Sequence, residues 1–269
     1  SLYTIALGMQ ALETNQADAV IAGGFFCPGP GNSCLFSQFR GTTSTGCRPF
    51  DAHADGVVFS EGAALVTLRR VGDAERLGLP ITATVIGAGL SSDGKSSSAN
   101  VPQTKGQLLS LARCYSNYNI DPASIDAIEG HGTSTPVGDS TELETLRQFF
   151  TGKTSKPIPV HSLKGLLGHA GWAAGTASVI AACEYMRHGI FPAQAMYREP
   201  SATLNRASGT LSVATSPVSL PQQKCRIAID GFGFGGANAH LVLEKYAADA
   251  FAEISTVPPE ERDIADELV

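Results

Sequence analysis

The sequence predicts an α/β protein built in layers. Three observations predict it. A short apolar run, Ile125 to Ile128, leads into Glu129-Gly130-His131-Gly132-Thr133-Ser134-Thr135-Pro136-Val137-Gly138-Asp139, and an amphipathic pattern leads out; this reads as a strand, a tight loop and a helix start. Leu2, Ile5, Ala6, Met9 and Leu12 fall at helical spacing and precede a buried-strand pattern from Asp18 to Ala22, ending at Gly23-Gly24. Ala170 to Met186 has helical character and is dominated by alanine, glycine and serine, which suits close packing in the middle of a layered fold.

The remaining elements follow in order. Cys27 and Cys34 lie in a Pro/Gly-rich stretch that reads as loop. Asp51, Asp55 and Glu61 read as partners of salt bridges and turn hydrogen bonds, not as a carboxylate site. Ala64 to Arg69 is a strand and Val71 to Arg76 a short surface helix. Ile81 to Ala88 is β-rich and runs into a polar loop, Ser91 to Ala99, while Leu108, Leu109, Leu111 and Ala112 give Gly106 to Tyr118 helical spacing. After the central loop, Asp139 and Glu142 have cap and capping-box spacing ahead of an apolar face made by Leu143, Leu146 and Phe150. His188-Gly189 suits a helix C-terminus. Leu211 to Ala214, Arg226 to Ile229 and Ala239 to Glu244 read as strands, and beyond Tyr246 the chain turns acidic and proline-punctuated, as a tail or linker.

Composition bounds the function. A chain of 269 residues that is 43% hydrophobic and 16% charged can bury a sizeable core. A net charge of -6 argues against a nucleic-acid partner. No apolar run reaches the ~20 residues of a membrane span. The six cysteines form no C-x-x-C pair, so zinc and redox readings are poor, and reduced thiols in a cytoplasmic protein are expected, with no metal.

A second histidine follows in His161-Ser162-Leu163-Lys164-Gly165-Leu166-Leu167-Gly168-His169, so two loop histidines and a lysine stand beside glycines. The order His131-Gly-Thr133-Ser-Thr135-Pro-Val-Gly-Asp139, then Lys164-x-x-x-Gly168-His169, then Gly231-Phe-Gly233-Phe234-Gly235-Gly236-Ala-Asn-Ala-His240 resembles the β-ketoacyl synthases, the condensing enzymes of fatty acid and polyketide assembly. The resemblance runs from Ser1 to about Tyr246.

It implies a thiolase-like αβαβα layered fold, with this chain forming the C-terminal part of a two-half architecture: 1–80 the end of the N-terminal half, 81–246 the C-terminal half and 247–269 an acidic tail. It implies decarboxylative Claisen condensation, with His131 and His169 donating to a developing enolate oxygen and Lys164 in support, paired with Glu142. Thr133 and Thr135 match threonines that bind a carrier's phosphopantetheine arm; no other cofactor is implied. Phe234, on a turn shaped by Gly233, Gly235 and Gly236, corresponds to an acyl-pocket gate whose N–H completes an oxyanion hole.

The family's nucleophilic cysteine sits on a strand-to-helix elbow, and Ser1-Leu2-Tyr3 resemble the residues directly after it. The chain therefore reads as the C-terminal portion of a condensing enzyme, either a split subunit, a processed product or a fragment. The implied partners are an N-terminal ketosynthase chain carrying that cysteine, an acyl carrier protein, and a second copy in a two-fold dimer. His53, His161, His188 and His240 are expected to be structural. Two rivals stand beside this reading: a non-catalytic chain-length-factor subunit, disfavoured by both histidines and the lysine being present, and a decarboxylase or acyltransferase variant. The run Gly231 to Gly236 also satisfies G-x-G-x-x-G, but it leads into a strand and not a helix, against a dinucleotide site.

Overall fold

Helix α1 (Leu2–Glu13) buries Leu2, Ile5, Ala6 and Leu12 along one stripe, the face its spacing predicts. In the computed structural model, which describes residues 1–39, 41–95 and 101–246, it is followed by β1 (Val20–Phe26), α2 (Pro30–Gln38), β2 (Gly62–Leu68), α3 (Val71–Arg76), β3 (Ala83–Ser92) and α4 (Thr104–Asn117). Then come β4 (Ala127–Glu129), α5 (Pro136–Phe150), β5 (Ile158–His161), α6 (Lys164–Leu167), α7 (Ala174–His188) and β6 (Ile190–Phe191). The chain closes with α8 (Ala202–Ala207), β7 (Leu211–Val213), β8 (Val218–Ser219), β9 (Arg226–Gly233) and β10 (Ala237–Lys245). The expected tail at 247–269 and the serines of the polar loop from 96 onward lie outside the described residues.

The central sheet has the strand order β3-β10-β9-β4-β5-β7. Strands β9, β4, β5 and β7 run parallel, and β10 pairs antiparallel with both β9 and β3. Alternate side chains divide between two cores. Ile128, Val160 and Ala228 pack with Leu111, Leu143, Leu146 and Phe150 of α4 and α5, while Ala127, Ile227 and Ile229 pack with Leu2, Ile5, Val179 and Ala182 of α1 and α7. Val20, Ala22, Val66 and Leu68 of the β1–β2 pair join the second core from beyond α1 and α7. The layers therefore run helix, sheet, helix, sheet. On the outer face of the β1–β2 pair, Ile21 and Phe25 are each 74% exposed and Leu65 60%.

Several expectations change. Strand β1 does not stop at Gly23-Gly24 but continues to Phe26, and only Ala22 and Phe26 in it are buried. Gly23, with φ +149°, and Gly24 stay in the strand because β2 and Trp172 come so close that a Cβ would meet Ala64 O at 2.1 Å and Trp172 O at 2.4 Å. Cys34 lies not in a loop but in α2, where Pro30 occupies the first turn. Strand β3 takes in Ser91 and Ser92, because Ser91 Oγ donates to Gly106 O at 2.6 Å and is satisfied inside the fold. Asp139 and Glu142 do not cap α5: its N-cap is Thr135, with Pro136 next, and both carboxylates turn back toward the preceding loop. The glycine-rich run is strand, turn, strand, as expected.

Candidate active site

The carboxyl ends of β4, β5 and β9 converge, and the loops that leave them carry the reactive groups, as parallel sheets require. His131 leaves β4 on a loop pinned by backbone donors. Glu142 Oε1 accepts from His131 N–H at 2.6 Å and Oε2 from Gly132 N–H at 2.8 Å. Asp139 accepts from Ser134 N–H at 3.0 Å and from Phe50 N–H at 2.7 Å, and Ser134, with φ +66°, in turn accepts from Arg48 N–H. Gly130 and Gly132 let Phe50 approach; a Cβ on either would meet its Cζ at 2.9 and 2.8 Å.

His169 follows α6. Its backbone bridges to Phe59, with His169 N–H donating to Val58 O at 2.7 Å and Ser60 N–H to His169 O at 3.1 Å. The two imidazoles face each other edge to face, with centroids 5.7 Å apart. Gly171 N–H donates to His169 Nδ1 at 3.1 Å, so a neutral His169 carries its proton on Nε2. That assignment turns Nε2–H into a donor. Burial, then the Lys164 charge, drives the His169 imidazole down to about 3 from 6.5, and burial followed by Lys164 and His169 holds His131 well below that range. Both rings are neutral donors at pH 7.

Lys164 is 4% exposed, and burial lowers its ammonium. The pairing with Glu142 is not formed as an ion pair: no carboxylate among the described residues lies within 4.0 Å of Lys164, and both Glu142 oxygens are taken by the His131 loop. The leading charge in its favour is Glu129, then Glu142. Glu129 is the group the sequence reading passed over. It is fully buried, accepts from Leu163 N–H at 2.7 Å and bonds His161 Nδ1 at 2.7 Å, so it fixes the segment leading to Lys164. Gln194 holds the same segment, accepting from Ser162 N–H at 2.7 Å and donating to Ser162 O at 3.1 Å.

His161 and His240 are buried, the former bound to Glu129 at 2.7 Å and the latter to Asp230 at 2.6 Å; His53 and His188 are exposed. Thr133 and Thr135 bring their hydroxyls to 3.0 Å from each other beside His131. Phe234 is 58% exposed on the turn after β9, where Gly236 N–H donates to Gly233 O at 3.0 Å and Gly235 and Gly236 have φ near +89° and +81°. Phe232 lies 6.1 Å from the His131 ring.

The N-terminus of α1 packs against α7 and β9. Ser1 Oγ accepts from Thr176 N–H at 3.0 Å, and Leu2 fills the space a Cβ would need at Gly175 and Gly231. None of the cysteines joins the site as an activated thiol. Burial raises Cys47, and pushes Cys183 up to about 11 and Cys114 and Cys225 up to about 12. The Glu61 carboxylate raises Cys27, and Cys34 projects from the exposed helix α2. No metal-binding cluster occurs among the described residues, and none of their helices is long and apolar enough to cross a membrane.

Residues 1–74 match the family model for the beta-ketoacyl synthase N-terminal domain, and residues 82–198 match that for its C-terminal domain. The chain belongs to the β-ketoacyl synthase family. It is 37% identical over 259 residues to the phenolphthiocerol synthesis polyketide synthase type I Pks15/1 of Mycobacterium bovis, covering 94% of this chain and 12% of that protein. Polyketide synthase GfsA of Streptomyces halstedii is 35% identical over 259 residues, covering 94% of this chain and 3% of the relative. Among solved structures, the ketosynthase from module 6 of the bacillaene synthase of Bacillus subtilis 168 superposes with a TM-score of 0.87 at 32% identity, covering 91% of this chain and 46% of that one. The ishigamide ketosynthase/chain length factor gives 0.82 at 26% identity, covering 91% and 58%. The fold is thiolase-like, and this chain spans about half the length of the bacillaene ketosynthase.

Proposed function

We propose that these residues form the condensing half of a β-ketoacyl synthase of polyketide type, an acyltransferase working in the cytoplasm. The observation that carries the reading is the pair of neutral imidazoles 5.7 Å apart, one with its Nε2–H fixed as a donor. The nucleophile is a cysteine thiolate outside the 269 residues, on a strand-to-helix elbow of the synthase. Helix N–H groups and the macrodipole favour a thiolate there, whereas burial raises the thiols of Cys47, Cys114, Cys183 and Cys225.

The thiolate attacks the carbonyl of a carrier-bound acyl thioester; a new C–S bond forms, the acyl–pantetheine C–S bond breaks and the pantetheine leaves as its thiolate. The Phe234 N–H stabilises the oxyanion, and the Phe234 ring gates the acyl pocket. A malonyl-type thioester then enters, its pantetheine arm held by Thr133 and Thr135. Its carboxylate leaves as CO2, and the bond pair passes into an enolate whose oxygen accepts from His131 and His169. The enolate carbon attacks the enzyme-bound acyl carbonyl, expels the thiolate and yields the β-ketoacyl product. Burial keeps both imidazoles unprotonated, and the Lys164 charge adds to it. The acyl carrier protein is the donor, and the assembled synthase is a two-fold dimer; the exposed face of Ile21, Phe25 and Leu65 supports coverage by further polypeptide.

Decarboxylation of a malonyl thioester by the assembled synthase tests the reading. His131→Ala and His169→Ala should each slow CO2 release about 10²–10³-fold. Rates within about threefold of wild type for both variants would end it.

A further inference from the structure

Helix α2 has no buried residue, yet its Phe36 turns inward onto two other rings. Phe36 meets Phe59 edge to face at 4.8 Å and lies tilted against Phe234 at 5.4 Å. Phe59 stacks on the His169 imidazole at 6.0 Å and bridges its backbone. The exit of α2 is tied to the same segment: Gly41 N–H donates to Phe36 O at 2.8 Å, Val57 N–H to Gly41 O at 2.7 Å and Thr43 N–H to Val57 O at 3.1 Å. A Cβ on Gly41 would sit 3.4 Å from Phe36 Cδ1, so the turn closes directly against the ring. A helix this short, without a buried face of its own, is held by what its one inward ring touches.

We infer that Phe36 is a specificity-determining positioning residue: Phe234 closes against it, and α2 thereby sets the girth of the acyl group admitted to the thiolate. This rests on the proposed function, in which Phe234 gates the acyl pocket. A slender acyl group passes with the two rings in contact. A branched one must part them, and loses the ring pair as its binding cost. Because Phe36 also leans on Phe59, and Phe59 on His169, the same ring aligns the gate with a catalytic imidazole.

The test uses the assembled synthase and two synthetic acyl-pantetheine thioesters, acetyl and isobutyryl. Acylation is followed by quenched intact mass, and kcat/KM is obtained for each thioester. Phe36→Ala should raise the isobutyryl-to-acetyl ratio about tenfold, and Phe36→Tyr, which keeps the ring, should restore the wild-type ratio. Phe39→Ala, at the C-cap of α2 but 52% exposed, should leave it unchanged. Should Phe36→Ala fail to fold, Phe36→Leu keeps apolar bulk without a flat ring and should move the ratio about threefold. A ratio within about twofold of wild type in the Phe36 variant that folds, or an equal change in Phe39→Ala, overturns the inference. A wild-type synthase that takes up neither acyl group overturns the proposed function itself, and this inference with it.

Discussion

Replacing Glu142 tests how the His131 loop is held. The side chain is 1% exposed and spends both oxygens on backbone N–H groups, at 2.6 Å from His131 and 2.8 Å from Gly132. Glu142→Ala leaves two buried donors unpaired. Each costs about 1–3 kcal/mol, so the substitution should remove about 2–6 kcal/mol, a large part of the roughly 5–15 kcal/mol that a domain has. Glu142→Gln separates acceptor loss from packing loss. Burial and then the nearby Asp230 push the Glu142 carboxyl up while the two backbone donors hold it down, and an amide keeps its shape without the charge. The amide oxygen still accepts one N–H while its NH2 faces the other, so the cost falls to about 1–3 kcal/mol. Urea unfolding of the assembled synthase gives both values, and malonyl decarboxylation reads the placement of His131; a displacement near 1 Å costs about 10²-fold. The reasoning is refuted if Glu142→Ala loses less than about 1 kcal/mol, or if Glu142→Gln is as damaging as Glu142→Ala.

Two further predictions follow from the same site. His169 takes its proton only near pH 3 and His131 also well below 6.5, so the decarboxylation rate should lack an acid limb near pH 6.5; Lys164→Met removes a charge that lowers both, and should move the limb upward. A wild-type limb at 6.5, unmoved by Lys164→Met, would contradict this. At Gly132, with φ +32°, a Cβ would meet Ser162 Cβ at 2.6 Å and Phe50 Cζ at 2.8 Å, so Gly132→Ala should cost about 1–3 kcal/mol in thermal unfolding and lower kcat; a loss under about 0.5 kcal/mol would count against the close packing.

What the sequence made legible were features carried by local pattern. The run Ile125 to Ile128 before a glycine-bounded histidine, and the second histidine after Lys164, already marked where β4 and α6 would present them. The inward stripe of α1 and the Ala/Gly/Ser-rich α7 likewise followed from spacing and size, and they form the layer between the two sheets. Long-range pairing was not legible. Asp139 and Glu142 have local capping spacing, but the loop before α5 folds back over them, and tertiary donors from Phe50, His131 and Ser134 win. Glu129, His161 and Gln194 come from separate segments, and nothing in their own surroundings announces that they will fix the chain before Lys164. Helix α2 was hidden for a different reason: with no buried side chain it has no amphipathic stripe, and only the contacts of Phe36 reveal its place.

The most direct test of the account is the site of acylation. The complete synthase, incubated with an acetyl-pantetheine thioester and digested after quenching, is mapped by mass spectrometry. The account predicts a thioester on a cysteine outside these 269 residues, on a strand-to-helix elbow of the synthase, formed more slowly when Phe234 is replaced. Acyl mass on Cys27, Cys34, Cys47, Cys114, Cys183 or Cys225 would contradict it.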